Sequence, residues 1–200
     1  MKKAILLGVA ALCMASCGSS SKEDAIQRLP SDQISVFTSS DKQLENAYNW
    51  AKKMALSYAH DNSDPVGYWY EAALPQREAF CMRDVSHQSV GAQILGLARH
   101  NKNMFTRFVE NISEEKDWCT YWEINRYNKP APADYTNDKE FWYNLNANFD
   151  VMQACLKMYQ WTGDAGYLTD PLFTNFYEKS VNEYVHRWAL EPEKIMDRSP

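Results

Sequence analysis

The densest run of chemically capable side chains is Arg77-Glu78-Ala79-Phe80-Cys81-Met82-Arg83-Asp84. Its last pair sets a planar guanidinium fork beside a carboxylate, a combination that grips the hydroxyls of one sugar ring through charge-assisted hydrogen bonds. Asp84 also stands where a following helix needs an N-cap, with Arg83 as its ion-paired neighbour, so capping accounts for the same two residues from spacing alone. His87 follows one helical turn later and is placed to orient Asp84, although a single helical histidine also serves structural ends. Glu71, Glu78, Glu123 and Asp150 supply further carboxyl groups. Among them Glu123, directly after Trp122 in an aromatic stretch, has the surroundings best suited to raise a carboxyl pKa for proton donation.

Rings gather around these carboxyls. Two long connections, 61–84 and 116–144, hold 12 of the 27 aromatic residues, although they make up only 53 of 200 positions. Loops of that length inside a compact domain are usually functional. Rings beside polar groups suit sugars, because apolar C–H faces stack while hydroxyls find hydrogen-bond partners. Trp69, Tyr70, Trp122 and Trp142 are the candidate platforms, unless they pin the loops to the body instead. Other chemistries lack their signatures. His60, His87, His100 and His186 are too scattered for a metal site, and no HExxH, GxSxG, GxGxxG or P-loop occurs, so no metal or cofactor is implied. A net charge of −5 without a Lys/Arg block argues against nucleic acid as a partner.

The elements that must position these groups read as five helices. The first spans about 41–60, with Ser40 and Gln43 in capping-box spacing and a stripe through Leu44, Ala47, Tyr48, Ala51, Ala55 and Tyr58. The second, about 85–99, is apolar all round and carries no Asp, Glu, Lys or Arg before Arg99, which predicts burial on every side. A third, amphipathic helix spans about 103–115. The fourth, about 145–161, carries two apolar stripes, Leu145/Phe149/Met152/Leu156/Tyr159 and Ala147/Val151/Ala154/Met158, and Gly163 ends it. The fifth starts at Asp170 as N-cap with Pro171 in the first position and runs to about Trp188. Exposed and enclosed helices alternate, as in repeated helical hairpins wrapped into an (α/α) toroid or stacked as a solenoid. A simple four-helix bundle would make every helix amphipathic.

Residues 1–17, MKKAILLGVAALCMASC, have a basic start, an apolar stretch and small residues before Cys17. They form a signal peptide (1–16), too short to span a bilayer, ending in a loose bacterial lipobox, Met14-Ala15-Ser16-Cys17. Cleavage there leaves Cys17 acylated as a membrane anchor, followed by a small, polar tether (17–40). An outer-membrane lipoprotein, facing the periplasm or the cell surface, is the expected location. Removing two lysines with the signal takes the net charge from −5 to −7. Cys81, Cys119 and Cys155 remain, an odd set best read as buried free thiols.

With these residues in view the chain becomes familiar. Tyr68-Trp69-Tyr70-Glu71, Leu74-Pro75 and Arg77–Asp84 followed by Ser86–Leu97 resemble the N-terminal part of six-hairpin (α/α)6-barrel glycosidases, the glucoamylase-like and rhamnosidase-like enzymes. Phe141-Trp142-Tyr143-Asn144 and Asn148-Phe149-Asp150 look like the entrance to a second inner helix. The resemblance covers roughly residues 41–190. It implies an all-α toroid domain over 41–200, a carbohydrate partner, and Arg83 and Asp84 at the −1 sugar. It also implies Trp69, Tyr70, Trp122, Trp142 and Asn148 around the ligand. The reaction implied is glycosidic hydrolysis by two carboxyl groups, one protonated and one a base or nucleophile. Glu123 is the candidate acid within this chain, although in the resembled enzymes acid and base generally come from later hairpins. A glycan-binding lipoprotein without turnover and a polysaccharide lyase are the alternatives. Five helices take about 30 residues each, so twelve would need roughly 350, and the 200 residues fit an N-terminal portion inactive alone. Cys17→Ser is expected to abolish labelling by radioactive fatty acid and to release the chain from the membrane fraction; labelling that survives this change excludes the anchor.

Overall fold

Residues 35–73 and 77–195 are described by a computed structural model; the signal peptide, Cys17 and the tether up to residue 34 lie outside them. Helices dominate, and every long connection is partly paired into a two-stranded antiparallel ribbon. The order is α1 (Lys42–Ser57), β1 (Ala59–His60), β2 (Trp69–Tyr70), β3 (Ala79–Cys81), α2 (Met82–Ile94) and α3 (Ala98–Val109). Then come β4 (Glu123–Asn125), β5 (Tyr135–Asn137), β6 (Glu140–Phe141), α4 (Ala147–Thr162), α5 (Gly166–Thr169) and α6 (Pro171–Lys179). A π-helical turn, Ser180–Tyr184, carries α6 into α7 (Val185–Arg187), and α8 (Pro192–Ile195) follows. The expectation of helices alone is therefore corrected to mostly helical.

Capping chemistry sets several boundaries. Asp170 accepts from the Leu172 amide at 2.9 Å with Pro171 behind it, and Gly163 closes α4 in the left-handed region (φ +71°), both as the sequence implied. At α1 the cap is Asp41 and not Ser40: Asp41 Oδ1 accepts from the Gln43 amide at 2.8 Å. None of α1 is buried; its expected core stripe leaves Leu44 56% exposed.

The second expected helix is divided. Gly96 takes φ +82°, so α2 stops at Ile94 and Arg99 belongs to α3. Nor is α2 buried all round. Met82, Val85, Ser86, Ser89 and Ala92 face the core, while Ile94 is 45% exposed. Two serines can occupy the core face because each hydroxyl bonds back into its own helix, Ser86 to the Met82 carbonyl at 2.8 Å and Ser89 to the Ser86 carbonyl at 3.0 Å. Of the two apolar stripes expected on α4, Ala147/Val151/Ala154/Met158 is buried, whereas Leu145, Phe149, Leu156 and Tyr159 of the other are exposed.

α2 packs on α4 more extensively than any other helix pair, and α3 and α6 close the core around Met104, Phe105, Phe108, Phe173 and Phe176. Cys81, Cys119 and Cys155 are buried free thiols, as read from their odd number. Asn101, fully buried on α3, ties this core to the first long loop: its amide donates to the Ser89 carbonyl at 2.8 Å, and its oxygen accepts from the Tyr70 hydroxyl at 3.0 Å.

His100 is buried, with Nε2 donating to the His60 carbonyl at 2.9 Å and Nδ1 unpartnered. Burial, helped by the charges of His60 and Arg99, pulls its pKa down to about 4 from 6.5. The unfolded chain therefore takes up a proton that the folded chain refuses, and stability present above pH 6.5 is lost as pH falls through about 4. Urea midpoints are expected to fall over this range by the equivalent of about 3 kcal/mol, and His100→Gln to remove that part of the slope. An unchanged slope in the variant rules out this assignment.

Candidate functional site

The two long loops are drawn together by β3 and β4. Their antiparallel register sets Cys81 opposite Glu123, Phe80 opposite Ile124 and Ala79 opposite Asn125. The Met82 amide extends the ladder to the Trp122 carbonyl at 2.8 Å. Since α2 starts immediately after β3, this pairing delivers Arg83 and Asp84, on the first turn of the helix, to the same wall as Trp122 and Glu123. A cavity of about 440 Å³ lies there, and Glu71, Arg77, Arg83, Asp84, Trp122 and Glu123 are among its lining. Cys81, not Asp84, occupies the N-cap position, so the capping account of Asp84 fails by three residues. Arg83 is exposed and its guanidinium lies over the Trp122 ring, 5.1 Å from the centroid.

Glu123 is the least ordinary group in the cavity wall. Its side chain is fully enclosed, Oε2 accepts from Arg77 Nη1 at 2.8 Å, and Oε1 has no hydrogen-bond partner. The same Arg77 nitrogen lies 3.2 Å from Asp134 Oδ2. Burial, then the neighbouring Asp134 carboxyl, push the Glu123 pKa up to about 7 against the opposing pull of Arg77. A carboxyl in that state can hold a proton near neutral pH and release it. Glu71 also faces the cavity: Oε1 is 3.4 Å from His60 Nε2, and Oε2 is buried without a partner. On the α4 side burial raises the Asp150 pKa, while the charges of His87 and Arg83 pull it back.

Three of the residues expected around a ligand are structural instead. Trp69 is fully buried: its indole N–H donates to Asp64 Oδ2 at 2.8 Å and its ring stacks on His60 with centroids 4.1 Å apart. Burial raises the pKa of Asp64, but the hydrogen bonds from Trp69 and Arg126 outweigh it and hold the group below the usual carboxylate range. Tyr70 is buried with its hydroxyl on Asn101. Asn148 is fully buried too, accepting from the Thr120 amide at 3.0 Å and donating to the Trp118 carbonyl and Ser180 hydroxyl, both at 2.9 Å. Each was counted among loop or helix-entrance residues, yet the β1–β2 ribbon folds the first pair inward and the π-helical turn presents Ser180 to the third.

Trp142, unlike these three, is open to solvent, with 61% of its surface exposed. With Trp122, Glu123, Asp134 and Tyr135 it lines a crevice too narrow to hold a water molecule. A larger cavity of about 590 Å³ adjoins the first through Glu71, Ala73 and Gln88 and continues between α1 and α2. Sequence reasoning missed Asp134 and the role of Arg77. Nothing local marks them, because their meaning lies in a meeting across 57 positions. Among the described residues no cluster of His, Cys, Asp and Glu is arranged to hold a metal ion. Compared with protein-family models, curated proteins and solved structures, the chain matches none.

Asn148→Ala strands a buried amide, a carbonyl and a hydroxyl, so a loss of about 2–4 kcal/mol in urea unfolding is expected.

Proposed function

We propose that this chain is a carbohydrate-active domain of the (α/α)-toroid type, acting on oligo- or polysaccharide by hydrolysis of a glycosidic bond. The reading rests on one observation: a single cavity gathers Arg83, Asp84, Trp122 and Glu123, residues that lie up to 40 positions apart. Arg83 and Asp84 hold hydroxyls of one sugar through charge-assisted hydrogen bonds. Trp122 and the exposed Trp142 offer ring faces to the sugar units on either side of Glu123. Glu123 is the proton donor to the departing glycosidic oxygen, in keeping with its raised pKa. The apolar strip of Ile94, Leu145, Phe149, Leu156 and Tyr159, exposed on α2 and beside or on α4, is the surface that a further hairpin covers in such a toroid. Acylation of Cys17 holds the domain at the outer membrane, facing the periplasm or the cell surface.

The test uses the full chain on an immobilised oligosaccharide array, followed by product analysis on whichever oligosaccharide is retained. Arg83→Ala and Asp84→Asn are each expected to weaken retention about tenfold or more, equivalent to about 1.4 kcal/mol. Release of reducing sugar supports hydrolysis. Retention without turnover supports a capture protein with the same ligand class, and an ultraviolet-absorbing unsaturated product supports a lyase. Retention that both variants leave unchanged excludes this site.

A further inference from the structure

We propose that Arg77 and Asp134 act through Glu123 as positioning residues, Asp134 favouring one proton on its carboxyl group while Arg77 anchors that group at the cavity wall and limits how tightly the proton is held. The inference rests on reading Glu123 as the proton donor and adds the device that loads it.

The geometry is a contest of charges. A single guanidinium nitrogen, Arg77 Nη1, faces two carboxyl groups, Glu123 at 2.8 Å and Asp134 at 3.2 Å. With both ionised, the cluster carries one negative charge too many in a place where Glu123 has no exposed side-chain surface. Like charges that share a site cannot both stay ionised cheaply, and the more enclosed of the two takes the proton. Asp134 keeps 17% of its side chain in solvent, so the proton goes to Glu123. Protonation also supplies the donor that two facing carboxylates lack: a neutral Glu123 can hydrogen-bond to the Asp134 carboxyl, which favours the protonated form further.

Backbone bonds keep Asp134 at this task. The Ala131 amide donates to the Glu123 carbonyl at 3.0 Å, the Asp134 amide to the Ala131 carbonyl at 3.0 Å, and the Trp142 amide to the Asp134 carbonyl at 2.6 Å. The loop bearing Asp134 is thus laced to the strand bearing Glu123. Other groups face the site without supplying a second clamp. Cys81, the strand partner of Glu123, stays a neutral thiol because burial pushes its pKa up to about 12, and Glu71, Arg83 and Asp84 stand around the cavity. In the hydrolytic step the Glu123 proton passes to the glycosidic oxygen as the C1–O bond breaks. A water oxygen bonds to C1, its proton leaves to a second carboxyl group, and proton exchange reloads Glu123.

The test needs no substrate. Carbon-13 NMR of the full chain, with label in the glutamate carboxyl carbons, follows the titration of Glu123, whose resonance is assigned by its loss in Glu123→Gln. The midpoint is expected near 7. Asp134→Asn removes the competing charge and is expected to lower it by about one pH unit; Arg77→Gln removes the opposing cation and is expected to raise it. A merely structural pair would behave otherwise, since loosening the site admits water and shifts both variants downward. Arg77→Lys keeps the charge and is expected to hold the wild-type midpoint, which serves if Arg77→Gln does not fold. A wild-type midpoint at the ordinary value of about 4.3, or both charge-removing variants moving the same way, overturns the proposal. Failure of the carbohydrate reading is separate: it appears as Arg83→Ala leaving oligosaccharide retention intact while the Glu123 midpoint stays near 7.

Discussion

Three residue pairs of antiparallel strand, β3 on β4, decide where the chemistry of this protein can lie. Without that pairing the segment leading into α2 and the loop before α4 would each be a separate aromatic loop on a helical body. With it, the backbone of Glu123 is fixed opposite Cys81, and α2 is launched from the end of the same ribbon. Short strands are weak alone, and two-stranded ribbons gain stability by packing on something else. Here Phe80 and Ile124 are buried in the common core, so hydrophobic burial and the ladder support one another.

Two ion clusters flank this ribbon and differ in character. Arg126 forks onto Asp64 Oδ1 at 3.0 and 2.6 Å and reaches Glu78 Oε1 at 2.7 Å, while Asp64 also accepts from Trp69. Its geometry is satisfied, and it fastens the first long loop. Glu78 is part of the same fastening, in the left-handed region at φ +46° with its carbonyl accepting from the Arg126 amide at 2.9 Å. The Arg77 cluster is less complete: it leaves a buried carboxyl oxygen without a partner on a cavity wall. A folded protein avoids such an oxygen except where it has work or is protonated. That contrast separates a structural clamp from a candidate reactive group, although both are built from one arginine and two carboxyls.

Burial separated the rings in a way composition could not. Trp69 and Tyr70 lie in the first aromatic loop and Trp122 and Trp142 in the second, all four on long connections rich in polar residues. The β1–β2 ribbon turns the first pair toward Phe80, Asn101 and His60, whereas Trp122 lines the cavity and Trp142 is exposed to solvent. The serines of α2 reversed the same judgement for a helix. Hydropathy patterning predicted burial on every side of α2, but its core face holds Ser86 and Ser89, whose hydroxyls bond within the helix, while Ile94 is exposed.

By itself the amino-acid sequence determined what depends on neighbours in the chain. Helices ended at Gly163 and began at Asp170-Pro171 because left-handed backbone, a capping carboxylate and a proline at the first helical position are local matters. The amphipathic stripe of α3 was legible too, and Trp122 beside Glu123 marked that carboxyl for attention, but the enclosure of Glu123 came from the pairing of β3 with β4. The division of the second helix was missed at Gly96, where one residue with φ +82° outweighed a continuous apolar pattern. What only the tertiary structure decided was which distant groups meet: Arg77 with Glu123 and Asp134, Asn148 with Thr120 and Ser180, the Asp64 carboxylate with Arg126. These contacts depend on chain closure over tens of residues. Local periodicity carries no record of them, because hydrogen-bond and charge energies are set by distance in space and by exclusion of water.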